Sequence, residues 1–483
     1  MTTAVDYKHV WRGTRTVIDP RTGEEIDSIG LLEPGAEIAV LQRATAVAFS
    51  WASTPIARRC LLVDRFSAEL EGTLEEVART LCRENGKTLA EARTEITRAV
   101  DTLRWAANHG PAALAPQPQP LRAGVQREIR WEPAGPALAI VAWNFPAIVL
   151  ARKIGPALVA GCPVIVKGPE ETPRTMERFI AAAERAGLPE DVIQLIFANP
   201  PEVQALLRHP GLGHVSFTGS SAVGRLVAAA AATVPTACTL ELGGHAPVVV
   251  TADADLTTAV SALAKAKFSS AGQSCGAPSR FIVARSRYDE FVERFLAETP
   301  ELDSVRPGDE RAMGPLQSGR RRDAVHTLVT EAVGSGAALL CGGSIPPGPG
   351  SYYPATVLAD VPPTARILRE EPFGPVAPII TYDDDRAAVE LANSTEYALS
   401  AYVFGSAGAA LRIASRINAG CVSVNTVGGA APDVPLGGRR SSGYGYEGGV
   451  EGIQGFCRLK TAQMVDAWSG DAGPFDWTDD GDH

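Results

Sequence analysis

The sequence has few of the features that mark nucleic-acid-binding or membrane-spanning proteins. Lys and Arg number 45 against 55 Asp and Glu, so the 483-residue chain carries a net charge of -10. This balance argues against nucleic acid and anionic membranes as partners, because both attract clustered Lys and Arg. The amino terminus shows no apolar signal core, and the apolar stretch Ala137–Leu150 is shorter than the ~20 residues that span a bilayer. The sequence therefore predicts a cytoplasmic protein.

The cysteines also lack a pattern. Eight of them are scattered along the chain with no CxxC pair and no spacing typical of metal ligands. We expect free thiols, most of them small buried apolar residues, and no metal site. Lys and Arg are absent after Lys460, whereas aspartates concentrate there. We therefore predict a solvated acidic tail over residues 474–483.

The first part of the chain is predicted to be mostly helical. From about Ile38 to His109, apolar residues recur at helical spacing. Four prolines within Pro111–Pro120 then argue against a helix. The segment Gly124–Glu132 alternates between apolar and polar residues, which predicts a strand with one polar face.

From Ala137 onward the pattern predicts an α/β protein. Short apolar strands, such as His214–Thr218, alternate with helices, which indicates a parallel sheet covered on both faces. One predicted helix, Ala147–Val159, contains Pro156, which should bend or interrupt it. A second α/β series runs from about Pro247 to Val424. We expect two α/β units with a cleft between them.

Two motifs follow strands of the first series. Gly219 and Ser220 stand where a strand passes into a helix, with Gly224 five residues after Gly219. Such a turn suits a pyrophosphate, although glycine and serine also serve ordinary turns and caps. Lys167 and Glu170 follow another strand and could hold ribose hydroxyls or form a solvated ion pair.

Two further motifs could carry covalent chemistry. Cys275 lies in a loop of small residues, where a substrate could reach it, but its thiol needs a base or a positive field to ionise. Taken alone, such a cysteine is more often structural. Glu241 ends an apolar strand, and a carboxylate near a buried strand end should have a raised pKa, which suits a general base. The alternative is a carboxylate turned to water.

Taken together and in this order, the motifs resemble those of the aldehyde dehydrogenase superfamily. The resemblance covers about residues 15–465, and the cysteine follows the glutamate by 34 residues (275 − 241), as in the family. The matching blocks are Trp143-Asn144-Phe145-Pro146, Lys167 to Glu170, Phe217-Thr218-Gly219-Ser220, Glu241-Leu242-Gly243-Gly244, Gly272-Gln273-x-Cys275, Glu371-x-Phe373-Gly374-Pro375, and Gly437-Gly438 to Ser442-Gly443.

The resemblance implies roles for four catalytic residues. Cys275 would attack the aldehyde to give a thiohemiacetal and then a thioester, and Asn144 would stabilise the oxyanion. Glu241 would activate water, and Lys153 would belong to a proton relay. The second relay member is often a glutamate two residues before a late lysine, but here that position is Arg458.

The resemblance also implies an NAD site and a domain plan. A carboxylate at position 170 would repel the 2′-phosphate of NADP, which favours NAD. Residues 1–112 and 134–243 would form a Rossmann-type cofactor domain, and residues 244–443 the catalytic domain. A β arm from 113–133 and 458–473 would join subunits into a homodimer or homotetramer. The implied cofactor contacts are Trp143, Lys167, Glu170, Gly219, Ser220, Gly224, Leu242, Glu371 and Phe373.

Two segments, Ala151-Arg152-Lys153 and Gly443-Tyr444-Gly445-Tyr446-Glu447-Gly448-Gly449, most resemble those of succinate semialdehyde dehydrogenases and related bacterial enzymes. In those enzymes an arginine at the position of Arg152 grips the substrate carboxylate, and a second arginine stands where this chain has Ser269. We therefore predict an acidic semialdehyde, with a neutral or aromatic aldehyde as the alternative. An acylating enzyme that uses coenzyme A is disfavoured by Glu241, and a catalytically silent relative is disfavoured by Cys275 with Asn144.

Overall fold

The structure, a computed structural model, describes residues 11–122, 125–299, 313–429 and 431–465. The predicted acidic tail, and the arm residues after 465, lie outside these ranges. No helix in the described ranges is long and apolar enough to cross a membrane. The helices are α1 (Ala36–Ser53), α2 (Ile56–Gly72), α3 (Leu74–Asn85), α4 (Leu89–Ala113), α5 (Pro146–Ala160), α6 (Pro173–Arg185), α7 (Pro200–Leu207), α8 (Ser221–Ala231), α9 (Leu256–Phe268), α10 (Tyr288–Ala297), α11 (Gly319–Gly334), α12 (Asp385–Ala392), α13 (Ala407–Ala414) and α14 (Gly449–Gln454).

A six-stranded sheet organises the first α/β series. Its strands are β5 (Ala137–Ile140), β6 (Val164–Lys167), β7 (Ile193–Ile196), β8 (His214–Thr218), β9 (Ala237–Glu241) and β19 (Gly443–Tyr444). They lie in the order β19-β9-β8-β5-β6-β7, all parallel except β19. Chain order reverses between β5 and β8, and open α/β sheets bind ligands beyond the carboxyl ends of strands at such a point.

A seven-stranded sheet organises the second series. Its strands are β10 (Pro247–Val250), β11 (Arg280–Ala284), β12 (Ala338–Cys341), β13 (Thr356–Ala359), β14 (Val376–Tyr382), β16 (Ser400–Phe404) and β17 (Cys421–Val424). The order is β12-β13-β14-β11-β10-β16-β17, and only β12 is antiparallel to its neighbour. Nearly every residue of the central strands is buried because helices cover both faces. The predicted α/β class is confirmed.

Three small sheets complete the described structure. Strands β3 (Gln117–Arg122), β4 (Val125–Pro133) and β20 (Cys457–Val465) form an antiparallel arm in the order β20-β4-β3. Strands β1 (Trp11–Ile18) and β2 (Glu25–Leu32) pair with each other, as do β15 (Tyr397–Ala398) and β18 (Arg439–Arg440). The strand predicted from the alternation over Gly124–Glu132 is confirmed as β4.

One expectation about prolines is wrong in detail, because helix α4 continues through Pro111 to Ala113. At Pro156 we expected a bend or an interruption, and α5 continues through this residue. Each proline removes one backbone hydrogen bond. Pro111 stands two residues before the end of α4. Pro156 stands in a stretch of α5 in which every residue is buried, and this packing outweighs the missing bond.

Candidate active site

The loop after β5 carries the predicted oxyanion donor. Asn144 lies in this loop, and α5 begins two residues later with Pro146 at its first position. The side-chain Nδ2 of Asn144 donates a hydrogen bond to the carbonyl of Gln273, 3.0 Å away. Gln273 is two residues from Cys275, so the structure brings the predicted amide and nucleophile together.

The loop that carries Cys275 has an unusual backbone. After α9 ends, Ser270 and Ala271 adopt left-handed conformations, with φ of 49° and 53°. A Cβ on Gly272 would lie 2.3 Å from the carbonyl oxygen of Gly374, so only glycine allows this approach. Burial, together with the charges of nearby carboxylates, raises the pKa of the Cys275 thiol to about 12.

Glu241 lies beside this loop. It ends β9, its exposed fraction is 5%, and its Oε1 has no hydrogen-bond partner among the residues described. A Cβ on Gly244 would lie 2.2 Å from the carbonyl oxygen of Cys275, which shows how closely the turn after Glu241 approaches the nucleophile loop. Burial, and then the charge of Glu447, raise the pKa of Glu241 well above its usual range. A carboxylate with a raised pKa is suited to general-base chemistry.

Lys153 is fully buried and has a carboxylate partner that the sequence analysis missed. Its Nζ donates to Oε1 of Glu447 at 2.6 Å and to Oγ of Ser216 at 2.9 Å. Arg458, at the position where the family often has the second relay member, donates to the carbonyl oxygen of Gly213 at 3.4 Å. The carboxylate beside Lys153 therefore comes from Glu447 and not from residue 458. Glu447 stands 294 residues away in the chain, and no local pattern could have paired them.

Arg152 is a buried residue of α5. Its exposed fraction is 7%, and its positive charge lowers the pKa values of both Cys275 and Glu241. The guanidinium therefore lies close to both reacting groups. Ser269, at the position of a second arginine, is exposed and contacts Oε1 of Glu91 at 3.2 Å.

The predicted ribose and pyrophosphate residues share the carboxyl edge of the six-stranded sheet. The Nζ of Lys167 lies 2.7 Å from Oε1 of Glu170. Ser220 caps α8 by accepting a hydrogen bond from the N–H of Val223, and Thr218 Oγ1 is buried without a partner among the described residues. The unused hydroxyl and the N–H groups that begin α8 suit a dinucleotide at this edge.

Gly224 and Leu242 are in positions where α8 packs against the end of the sheet. A Cβ on Gly224 would lie 2.3 Å from Cδ2 of Leu242, so glycine lets α8 pack closely against the residue that follows β9. Leu242 is itself buried. Their predicted cofactor contacts stay predictions.

Glu371 and Phe373 flank the nucleophile loop on its other side. Oε1 of Glu371 accepts a hydrogen bond from the N–H of Gly244 at 3.2 Å, and burial raises the pKa of Glu371 to about 8. Phe373 meets the ring of Trp143 edge-on, with 5.7 Å between the ring centroids. Burial also lowers the pKa of Lys267, near Glu371, to about 7. The residues predicted around a nicotinamide ribose are therefore close to Cys275.

Comparison with known proteins identifies the family to which this chain belongs. Residues 10–462 match the model described as the aldehyde dehydrogenase family. The chain belongs to this family. Aldehyde dehydrogenases oxidise aldehydes with NAD or NADP, so the resemblance inferred from the motifs is confirmed.

Individual relatives differ in the substrates they are named for. The chain is 38% identical to a 4-(hydroxymethyl)benzenesulfonate dehydrogenase of Comamonas testosteroni, over 94% of this chain and 96% of that protein. It is 37% identical to a succinate-semialdehyde dehydrogenase of Paenarthrobacter nicotinovorans, over 89% and 97%. Among solved structures, PnpE of Pseudomonas sp. WBC-3 in complex with nicotinamide adenine dinucleotide has a TM-score of 0.90 at 31% identity, over 94% of each chain.

Proposed function

We propose that this protein oxidises an aldehyde that carries an anionic group to the carboxylic acid, with NAD as the preferred cofactor. The observation that carries the proposal is the buried carboxylate of Glu241 beside the Cys275 loop, one oxygen of which has no hydrogen-bond partner among the described residues. A base in that position can take a proton from water, and hydrolysis then ends the reaction at the acid.

Cys275, Asn144 and Glu241 each have a separate role in the proposed reaction. The thiolate of Cys275 attacks the aldehyde carbon, and the amide of Asn144 with the backbone N–H of Cys275 donates to the oxyanion that forms. When bound, the nicotinamide cofactor supplies the hydride acceptor that turns the thiohemiacetal into a thioester. Glu241 then takes a proton from the water that attacks the thioester carbon, the C–S bond breaks, and Cys275 leaves as thiolate.

Lys153 and Glu447 set the charge around Glu241. The two side chains share a buried hydrogen bond, and Glu447 raises the pKa of Glu241 whereas Lys153 lowers it. The lysine charge thus compensates two neighbouring carboxylates when Glu241 is ionised and able to take a proton from water.

An anionic substrate is supported by Arg152 and by the named relatives. One relative is named for a carboxylate-bearing semialdehyde and another for a benzenesulfonate. These compounds differ in shape but share a negative group distant from the reacting carbon. A buried guanidinium near Cys275 is the described cation best placed to bind either group. An aromatic sulfonated aldehyde is therefore the second candidate beside an aliphatic semialdehyde.

A matched pair of aldehydes tests this assignment. We expect kcat/KM to be higher for 4-formylbenzenesulfonate than for benzaldehyde, and for succinate semialdehyde than for butanal. Arg152→Met should shrink each ratio about tenfold to a hundredfold, because one charge-assisted hydrogen bond is lost. Taking ratios cancels any effect of Arg152 on the thiol, which both members share. Ratios near one in the wild type, or unchanged by the substitution, would leave a neutral aldehyde as the substrate.

Coenzyme A distinguishes hydrolysis from acyl transfer. We expect steady NADH production without coenzyme A and no acceleration when it is added, because Glu241 supplies the base for water. An absolute requirement for coenzyme A would mean an acylating enzyme. Glu241→Gln should still give one NADH per active site and then stall as a thioester, detectable by intact mass.

Glu170 supports the preference for NAD. Its carboxylate would stand against the adenosine ribose, where a 2′-phosphate would meet a like charge at a cost of several kcal/mol. We expect a higher kcat/KM with NAD than with NADP, and a narrower gap in Glu170→Ser. Equal use of both cofactors by the wild type would contradict this role.

A further inference from the structure

The turn between α3 and α4 holds the oxyanion loop through its backbone. Nδ2 of Asn85 donates to the carbonyl of Trp143 at 2.8 Å. Nζ of Lys87 donates to the carbonyl of Asn144 at 3.0 Å and lies 4.3 Å from the ring centroid of Phe145. Both side chains are buried, so three consecutive residues of the loop are bound by one short segment.

A buried ion pair extends this contact into α5. Lys87 Nζ forms a hydrogen-bonded ion pair with Oε2 of Glu95, and both side chains are 1% exposed. The other oxygen of Glu95 accepts from the N–H of Ala147 at 2.9 Å, in the first turn of α5. Buried charges are tolerated when paired and hydrogen-bonded. Here the remaining bond of Lys87 goes to the loop that carries Asn144, and that of Glu95 goes to the first turn of α5.

The same segment also holds the nucleophile loop. Oε1 of Glu91 accepts from the N–H of Ser270 at 2.6 Å and from Oγ of Ser269 at 3.2 Å. Its Oε2 accepts two bonds from Thr88 in the capping box that starts α4. Glu91 and Glu95 are four residues apart on α4 and therefore face the same side.

We propose that residues 85–95 are a brace that fixes the amide of Asn144 relative to the thiol of Cys275, with Lys87 and Glu95 as its positioning residues. This inference rests on the roles proposed above for Asn144 and Cys275. Lys87 touches neither the reacting atoms nor the proposed cofactor edge; it acts through the carbonyl of Asn144. Displacement of a catalytic group by about 1 Å can slow a reaction about a hundredfold.

The test removes both charges at once. Lys87→Met with Glu95→Gln leaves no unpaired buried charge, and the amide oxygen of glutamine can still accept from Ala147. We expect the rate constant of the NADH burst to fall about tenfold to a hundredfold with succinate semialdehyde or 4-formylbenzenesulfonate, whichever is oxidised faster. The dissociation constant of NAD should change less than threefold.

Arg59→Met is the matched control. Arg59 is also a buried cation bonded to backbone carbonyls, but it contacts Val159 at the opposite end of α5. Its loss should lower the unfolding temperature without slowing the burst in the molecules that stay folded. Slowing equal to that of the double variant would mean that loss of any buried cation has the same effect, and would overturn the brace.

A third variant separates the brace from the proposed function. In Asn144→Ala the burst should already be slow, and adding Lys87→Met with Glu95→Gln should slow it little further, because the brace acts through Asn144. If Asn144→Ala and the Lys87–Glu95 substitutions slow the burst independently, so that their factors multiply, the brace is overturned. A wild-type burst rate in the Lys87–Glu95 variant would also overturn it. A wild-type burst rate in Asn144→Ala would instead overturn the proposed role of Asn144.

Discussion

Three carboxylates and one guanidinium near Cys275 shift the pKa of its buried thiol in opposite directions. Glu371, Glu241 and Glu447 raise its pKa, whereas Arg152 lowers it. The raised pKa keeps the resting thiol protonated near neutral pH, so ionisation must be coupled to a base or to a positive charge brought by the cofactor.

Alkylation of the unliganded protein reports this balance. Only the thiolate reacts, so a pKa raised to about 12 predicts that the rate of iodoacetamide labelling at Cys275 climbs about tenfold per pH unit from 7 to 10. Arg152→Met removes the lowering charge and should slow labelling at every pH in this range. Mass spectrometry of the Cys275 peptide measures both. A rate that levels off near pH 8, or that ignores the substitution, would contradict the electrostatic account.

At the scale of single elements, local patterns predicted most of what the structure shows. Strand β8 has the bounds predicted, because its apolar residues are flanked by turn residues. Glu241 and Asn144 could be found because each stands in a short motif next to a strand end. Glu447 could not be found, because only the folded arrangement of α5 and the glycine-rich turn before α14 brings it to Lys153. The brace was missed for the same reason, since each contact joins distant segments.

Packing of α8 gives a prediction for the cofactor edge. In Gly224→Ala, the new Cβ would stand 2.3 Å from Cδ2 of Leu242, so either the buried leucine side chain or the helix must move. We expect unfolding free energy to fall by about 1–3 kcal/mol, as for other overpacked cores, and NAD to bind more weakly. Adding Leu242→Ala should recover part of the loss, which a double-mutant cycle by urea unfolding would detect.

Gly334→Ala is the control for this substitution. Gly334 ends α11, and nothing lies within 4 Å of a Cβ built there. Alanine should be neutral or stabilising by up to about 1 kcal/mol at this position. Equal destabilisation at both glycines would show that contact with Leu242 is not the cause.

At the scale of the whole molecule, the arm has two edges of different character. Strands β3 and β20 are its outer strands, and no other described strand pairs with them. Strand β3 contains Pro118 and Pro120, which lack the N–H that pairing needs, whereas β20 contains no proline. Strand β20 also exposes 60% of Leu459. A homodimer or homotetramer stays a prediction, and β20 is where we expect subunits to join.

Leu459→Asp tests that expectation, because a carboxylate would be forced into any contact that buries the leucine. Loss of one buried leucine costs about 1.5–3 kcal/mol, and a two-fold interface contains two copies. The dimer dissociation constant should therefore rise at least a hundredfold, by about 3 kcal/mol. Leu411→Asp is the control. Leu411 is similarly exposed, at 59%, but it lies on α13 and not on a strand of the arm. Sedimentation should give a lower mass for Leu459→Asp alone. An unchanged mass in both variants would exclude β20 from the interface, and a reduced mass in both would point to a general loss of folding.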